Sequence, residues 1–215
     1  MLDPKSLASN LRHPDGELGI RVGQMMHKGN ANFYLHLPDL LNLQGDEAVL
    51  EIGMGAGIHL ADYSKYLPKG ELFGLDYSQT MVDQAERNCK DLSQVKIIQG
   101  DALNLPFGEH FFDVLYTINT VYFYDLKRAF DQYYRVLRPG GKLVIGKRTK
   151  EDLLQLGEVT QHGFNLISAT EVNEVAKHCG FEFKTEITYD DSPVQINDRL
   201  LQLHSQFLSF QKPLS

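Results

Sequence analysis

The chain has 215 residues, 42% of them hydrophobic, and a net charge of −7, which is enough for one α/β domain with a full core. The acidic balance argues against a protein that wraps nucleic acid through a broad basic surface. No segment approaches the roughly 18–20 apolar residues of a membrane span and no signal-type run opens the chain, so a soluble, cytoplasmic protein is expected.

Residues 1–19 are polar and carry Pro4, Pro14, Gly16 and Gly19, the composition of a surface arm. A short helix is expected over 20–27. A second is expected over 32–41, with Phe33, Leu37, Leu40 and Leu41 on one face. Residues 1–45 thus form an arm and helical cover, and 46–215 the main domain. The first strand is the apolar run 48–52. The helix expected after it, 58–67, is stopped by Pro68-Lys69-Gly70. The second strand is 71–75, ending at Asp76. Ser78 caps a helix running to about residue 88. Strands follow at 95–99 and 111–117, a helix at 126–137 ended by Pro139-Gly140-Gly141, and a fifth strand starting at 142. Residues 147–169 are less regular. Thr170 caps a helix reaching Cys179, with Gly180 as its stop. A sixth strand spans 181–188, a turn 190–195, and a last strand 207–211, with Leu200 as its alternative start. Cys89 and Cys179 fall in expected helices and read as reduced thiols, with neither a disulfide framework nor metal-ligand spacing.

Strands alternating with helices imply a doubly wound, mostly parallel sheet. In such sheets ligands bind beyond the carboxyl ends of the strands, at the switch in strand order. The chain therefore concentrates its chemistry where it should. After the first strand comes Gly53-Met54-Gly55-Ala56-Gly57, a turn that lets a ligand approach the main chain. The N–H groups of the helix expected next would favour a negative group over that turn. A dinucleotide site needs a glycine or alanine at position 58, which is Ile58, so the register fits a ligand without a pyrophosphate. Asp76, roughly 20 residues on, can accept from both hydroxyls of a ribose. Asp101 can accept from an exocyclic amine, and the Ala102 N–H can donate to a ring nitrogen, with Leu103 and Leu105 placed to pack on a flat ring. Carbonyls at Thr117-Ile118-Asn119-Thr120 could hold an ammonium group.

Five segments in order carry a resemblance: Val49-Leu50-Glu51-Ile52-Gly53-Met54-Gly55-Ala56-Gly57, Gly74-Leu75-Asp76-Tyr77-Ser78, Gln99-Gly100-Asp101-Ala102-Leu103-Asn104-Leu105-Pro106-Phe107, Phe112-Asp113-Val114-Leu115 and Arg135-Val136-Leu137-Arg138-Pro139-Gly140-Gly141-Lys142-Leu143. Over about residues 46–212 the chain resembles class I S-adenosylmethionine-dependent methyltransferases. It is most similar to their small-molecule branch, the ubiquinone/menaquinone-biosynthesis type. The resemblance implies a Rossmann-like, seven-stranded sheet with its last strand antiparallel, and S-adenosyl-L-methionine as cofactor. Glu51, Gly53 and Gly55 would line its methionine portion, Asp76 would hold the ribose, Tyr77 and Met81 would sit beside the adenine, Asp101 and Ala102 would read its edge, and Ile118 would contact the amine.

The implied activity is methyl transfer to O, C or N of a small, partly apolar molecule by in-line displacement, which needs placement more than charge stabilisation. The acceptor pocket is expected from Met26, Phe33, Tyr34, Tyr122, His162 and Phe164, since methionine and aromatic side chains suit a flat or apolar partner. His27, His59, Tyr122 and His162 are candidate bases by location; none is assigned, and His59 reads equally as a surface or cap residue. No metal site is expected. The place after the fourth strand reads Asn119-Thr120-Val121-Tyr122 rather than the Pro-Pro-aromatic turn of many nucleic-acid amine methyltransferases, so no nucleic-acid partner is expected. Two alternatives stand beside this reading. One is an S-adenosylmethionine-binding regulator or scaffold without methyl transfer. The other is a nicotinamide-dependent dehydrogenase, opposed by Ile58.

Overall fold

The computed structural model describes residues 3–196 and 198–214. Its first element corrects the expected surface arm. Helix α1 spans Pro4–Arg12, with the Asp3 carboxylate accepting from the Ser6 N–H at 2.9 Å. Proline at the first helical position loses nothing, because that N–H has no partner within the helix. Helix α2, Gly16–Gly29, is longer than expected, and α3 is Ala31–Leu41.

The strands are β1 (Ala48–Ile52), β2 (Glu71–Asp76), β3 (Val95–Gln99), β4 (Phe112–Ile118), β5 (Leu137–Lys147), β6 (Glu182–Asp190), β7 (Val194–Ile196), β8 (Arg199–Leu201) and β9 (His204–Gln211). Seven of them form one sheet in the order β3-β2-β1-β4-β5-β9-β6. The pairings among β1 to β5 are parallel, and β9 runs antiparallel to both neighbours. This is the expected doubly wound, Rossmann-like sheet with its last strand antiparallel. The strand order reverses between β1 and β4, which places the binding crevice at their carboxyl ends.

Helix α4 is only Leu60–Tyr63, continued by a 3₁₀ turn at Ser64–Tyr66, so the helix expected from residue 58 starts later. Helix α5, Gln79–Cys89, is capped by Ser78 as the sequence suggested. Helix α6, Leu126–Val136, has Asp125 as its cap. The segment read as irregular holds α7, Lys150–Gln155, and a 3₁₀ turn at Gly157–Gln161. Helix α8, Ala169–His178, is capped by Ser168 rather than Thr170, in a reciprocal arrangement with Glu171. Strand β5 begins before Pro139-Gly140-Gly141, because Leu137 already pairs with Phe112 across an irregularity in register. Strands β7 and β8 form a separate hairpin between β6 and β9.

Each face of the sheet buries its own core, as the two-residue period of a strand requires. Leu50, Ile52, Leu115 and Ile145 pack under α6 and α8. Val49, Val114, Tyr116 and Phe207 pack with Phe33 and Leu37 of α3 and with Leu60 and Val82. Among the described residues no helix is long and apolar enough to cross a membrane.

Candidate functional site

The carboxyl ends of β1, β2, β4 and β5 open into a cavity of about 1570 Å³. The glycine turn forms one wall. Gly53 has φ +75°, and a Cβ there would meet Thr120 Cγ2 at 2.3 Å. Gly55 differs: its φ is +56°, nothing lies within 4 Å of its Cβ position, and it lines the cavity. A side chain there would project into the cavity.

Asp76 ties this turn to the next strand end. Its carboxylate accepts from the Gly55 N–H and the Ser78 N–H, each at 2.9 Å. Burial raises its pKa, and the two N–H groups oppose that rise. Asp76 faces the cavity together with Tyr77, Met81, Asp101 and Ala102. Tyr77 is mostly exposed and meets His13 edge-to-face at 5.2 Å. Ile118 and Asn119 line the far side. Asn119 sits at φ +55°, a region asparagine tolerates. Its side chain donates to Asn30 Oδ1 at 2.8 Å and accepts from the Arg148 N–H at 3.0 Å.

Glu51 departs from its expected place. It is fully buried, does not line the cavity, and accepts from the Tyr116 hydroxyl at 3.0 Å. Its other contact is His59 Nε2 at 2.7 Å. His59 is therefore buried against β1, not the surface residue that the sequence equally allowed. Its ring stacks on Tyr34 at 4.0 Å, and Tyr34 stacks on His27 at 5.3 Å. His27, His59 and Tyr34 all line the cavity. Burial, then the neighbouring His59, lower the pKa of His27. Burial, then Glu51, raise that of Tyr34.

Met26, Tyr34, Tyr122 and Phe164 of the expected acceptor pocket share this cavity, alongside Met25, Leu153, Leu156 and Leu203. Tyr122 stacks on Phe164 at 5.9 Å. Two expected members are elsewhere. Phe33 is in the core against Phe207, because the apolar face of α3 packs on the sheet. His162 is exposed beyond the 3₁₀ turn and does not reach the cavity. The sequence reading missed Arg148 and Asp191. Arg148 pairs with Asp191, donates to the carbonyls of Gly29 at 2.8 Å and His204 at 3.0 Å, and lies over Phe33. Its signal was available, since it directly follows β5 and so obeys the strand-end rule that found Asp76. Asp191 follows β6, but only the fold brings it to Arg148. No group of three or more His, Cys, Asp or Glu suited to a metal occurs among the described residues.

Residues 50–145 match the family described as a methyltransferase domain. An uncharacterised methyltransferase of Bacillus subtilis (strain 168), YdaC, is 30% identical over 131 residues, covering 60% of this chain and 72% of that protein. The demethylmenaquinone methyltransferase of Geobacillus sp. (strain WCH70) is 30% identical over 137 residues, covering 59% of this chain and 56% of the relative. The chain spans about half the length of the demethylmenaquinone methyltransferases it matches. Among solved structures, one from the complex between the Haloferax volcanii Trm112 methyltransferase activator and a methyltransferase superposes with a TM-score of 0.78 at 19% identity, covering 98% of each chain. At that identity the likeness concerns the fold.

Proposed function

The chain belongs to the class I S-adenosylmethionine-dependent methyltransferases, and we propose that it moves a methyl group from S-adenosyl-L-methionine to a small, partly apolar acceptor. The observation that carries this is the convergence of the glycine turn, Asp76 and Asp101 on one cavity. Its volume of about 1570 Å³ exceeds the roughly 300–1,000 Å³ of ordinary single-ligand pockets, which leaves room for donor and acceptor together.

The chain's own groups fit the donor. The open Cβ position of Gly55 accommodates the methionine half, beside Gly53. Asp76 accepts from the ribose while holding the turn, Tyr77 and Met81 flank the adenine, and Asp101 and Ala102 read its edge. The backbone at Ile118 takes the ammonium. When bound, the cofactor supplies an electrophilic methyl on a sulfonium that leaves as a neutral thioether. The protein's task is then to align the acceptor atom with that methyl and to exclude water. Residues 1–45 serve as cover through α1 and α2, and 46–215 carry the cofactor site. Met26, Tyr34, Tyr122 and Phe164 form the acceptor end, and its apolar walls agree with the flat, apolar acceptor implied by relatives named demethylmenaquinone methyltransferases.

A thermal-shift comparison tests the assignment. S-adenosylhomocysteine should raise the melting temperature and NAD should not; stabilisation by NAD alone would move the chain to the dehydrogenase reading.

A further inference from the structure

The two ends of the cavity are built from different strands. Asp76 and Asp101, assigned to the donor, stand at the ends of β2 and β3, on one side of the switch between β1 and β4. Arg148 follows β5, on the other side, and lines the cavity together with Met26, Tyr122, Leu153 and Leu203. It is nine-tenths buried, whereas Arg12 and Lys28, which also line the cavity, are exposed.

The surroundings of Arg148 fix it in place. Asp191 takes its Nη1 on one carboxylate oxygen, and on the other accepts from Asn32 at 2.5 Å and Ser205 at 2.7 Å. Nη1 also donates to the His204 carbonyl and Nη2 to the Gly29 carbonyl, with the Phe33 ring 4.8 Å from the guanidinium carbon. These contacts use three of the five guanidinium N–H groups. The Nε–H has no partner among the described residues. No fully buried side-chain nitrogen or oxygen among them lacks one, so the Nε edge is open to the cavity. The neighbouring hydroxyls differ. Tyr122 spends its proton on Asn119 Oδ1 at 2.9 Å, and Thr160 spends its own on the Leu153 and Gly157 carbonyls. Tyr34, beside the Asn30 side chain, is a neutral donor.

We propose that Arg148 reads an oxygen of the methyl acceptor: its Nε–H donates to a carbonyl or phenolic oxygen while the flat body of the acceptor packs on Tyr122 and Phe164. The inference rests on the proposed methyl transfer and deepens it by naming a group the acceptor carries. Asp191 already balances the guanidinium, so the seat calls for a lone pair rather than an anion. An otherwise identical molecule without that oxygen loses the bond and leaves a charged donor unmet against apolar surface, which is the stronger part of the discrimination.

The test uses protein saturated with S-adenosylhomocysteine and three flat probes: 1-naphthol, 1-tetralone and oxygen-free naphthalene, with binding read by ligand-observed NMR. The better of the two oxygenated probes should bind roughly tenfold more tightly than naphthalene, and which one it is separates a phenolic from a carbonyl oxygen. In Arg148→Lys the three ammonium protons are taken up by Asp191, Gly29 and His204, so the preference should vanish while S-adenosylhomocysteine binds as before. Should that variant fail to fold, Arg148→Met combined with Asp191→Asn removes both charges, leaves neither unpaired, and should lose the preference in the same way. A merely structural arginine would weaken all three probes alike and leave their ratio intact. Oxygenated probes that bind no better than naphthalene, a ratio that survives in these variants, or one lost in Tyr34→Phe instead, would overturn the inference. If S-adenosylhomocysteine fails to bind the wild-type protein, it is the donor assignment that fails.

Discussion

Asp76→Asn separates the two duties of this carboxylate. In the free protein Oδ2 accepts from Gly55 and Oδ1 from Ser78, and in the proposed complex the same group accepts from the ribose hydroxyls. Asparagine keeps the shape but turns one acceptor into an NH₂ donor. A hydrogen bond to a charged group is worth about 1.5–3 kcal/mol. Losing one such bond to the ribose should weaken S-adenosylhomocysteine binding roughly 10- to 150-fold. Stability should change far less. Burial raises the pKa of Asp76, so its charged form carries a folding cost at neutral pH. That cost is absent below the unfolded-state value, grows as pH rises from there to the folded value, and is full above it; the neutral amide removes it, which offsets the lost acceptor. The assay is calorimetry at pH 7.5 with urea unfolding as the control. Affinity within twofold of wild type in a normally folded variant would refute the reasoning.

The two glycines should part company. Gly53→Ala drives a Cβ into Thr120 at a positive φ and should cost about 2–4 kcal/mol in urea unfolding; an unchanged midpoint would show that the Thr120 contact is not tight. Gly55→Ala meets no protein atom and should lose only about 1–2 kcal/mol of stability for its backbone, yet abolish detectable binding of S-adenosylhomocysteine; retained binding would remove the turn from the donor site. Lys147 is fully buried, donates to Gln206 at 3.1 Å, and is pushed down to about 8 from 10.5, mainly by burial. Its ammonium thus costs roughly 3 kcal/mol at pH 7, fully below pH 8 and fading as pH rises to 10.5. Lys147→Met should be more stable at pH 7 by up to about 3 kcal/mol, less whatever Gln206 loses, and the gain should shrink at pH 9.5; a variant less stable at pH 7 contradicts this.

What the sequence revealed depended on how local the cause was. The strand at 48–52 and the glycines after it announce themselves, and Ser78 caps α5 because the competing forces lie within four residues. The signals for α1 and α8 were equally local and were misread: Asp3-Pro4 is a helix start, and Ser168 with Glu171 three residues later is a capping box. Other features were out of reach. That β5 begins at Leu137 follows from its pairing with Phe112, 25 residues earlier. His59 looks like a solvent residue until β1 brings Glu51 under it, and Glu51 in turn is drawn from the cavity by His59 and Tyr116. Phe33 belonged to an apolar face that was correctly recognised, but only the fold shows that this face meets Phe207 rather than the cavity.

Transfer of tritium from S-[methyl-³H]adenosylmethionine into the small-molecule fraction of a cell extract tests the central claim most directly. The account predicts label in an apolar small molecule with wild-type protein and its loss with Gly55→Ala. A wild-type protein that binds S-adenosylhomocysteine yet leaves every small-molecule fraction unlabelled would contradict it.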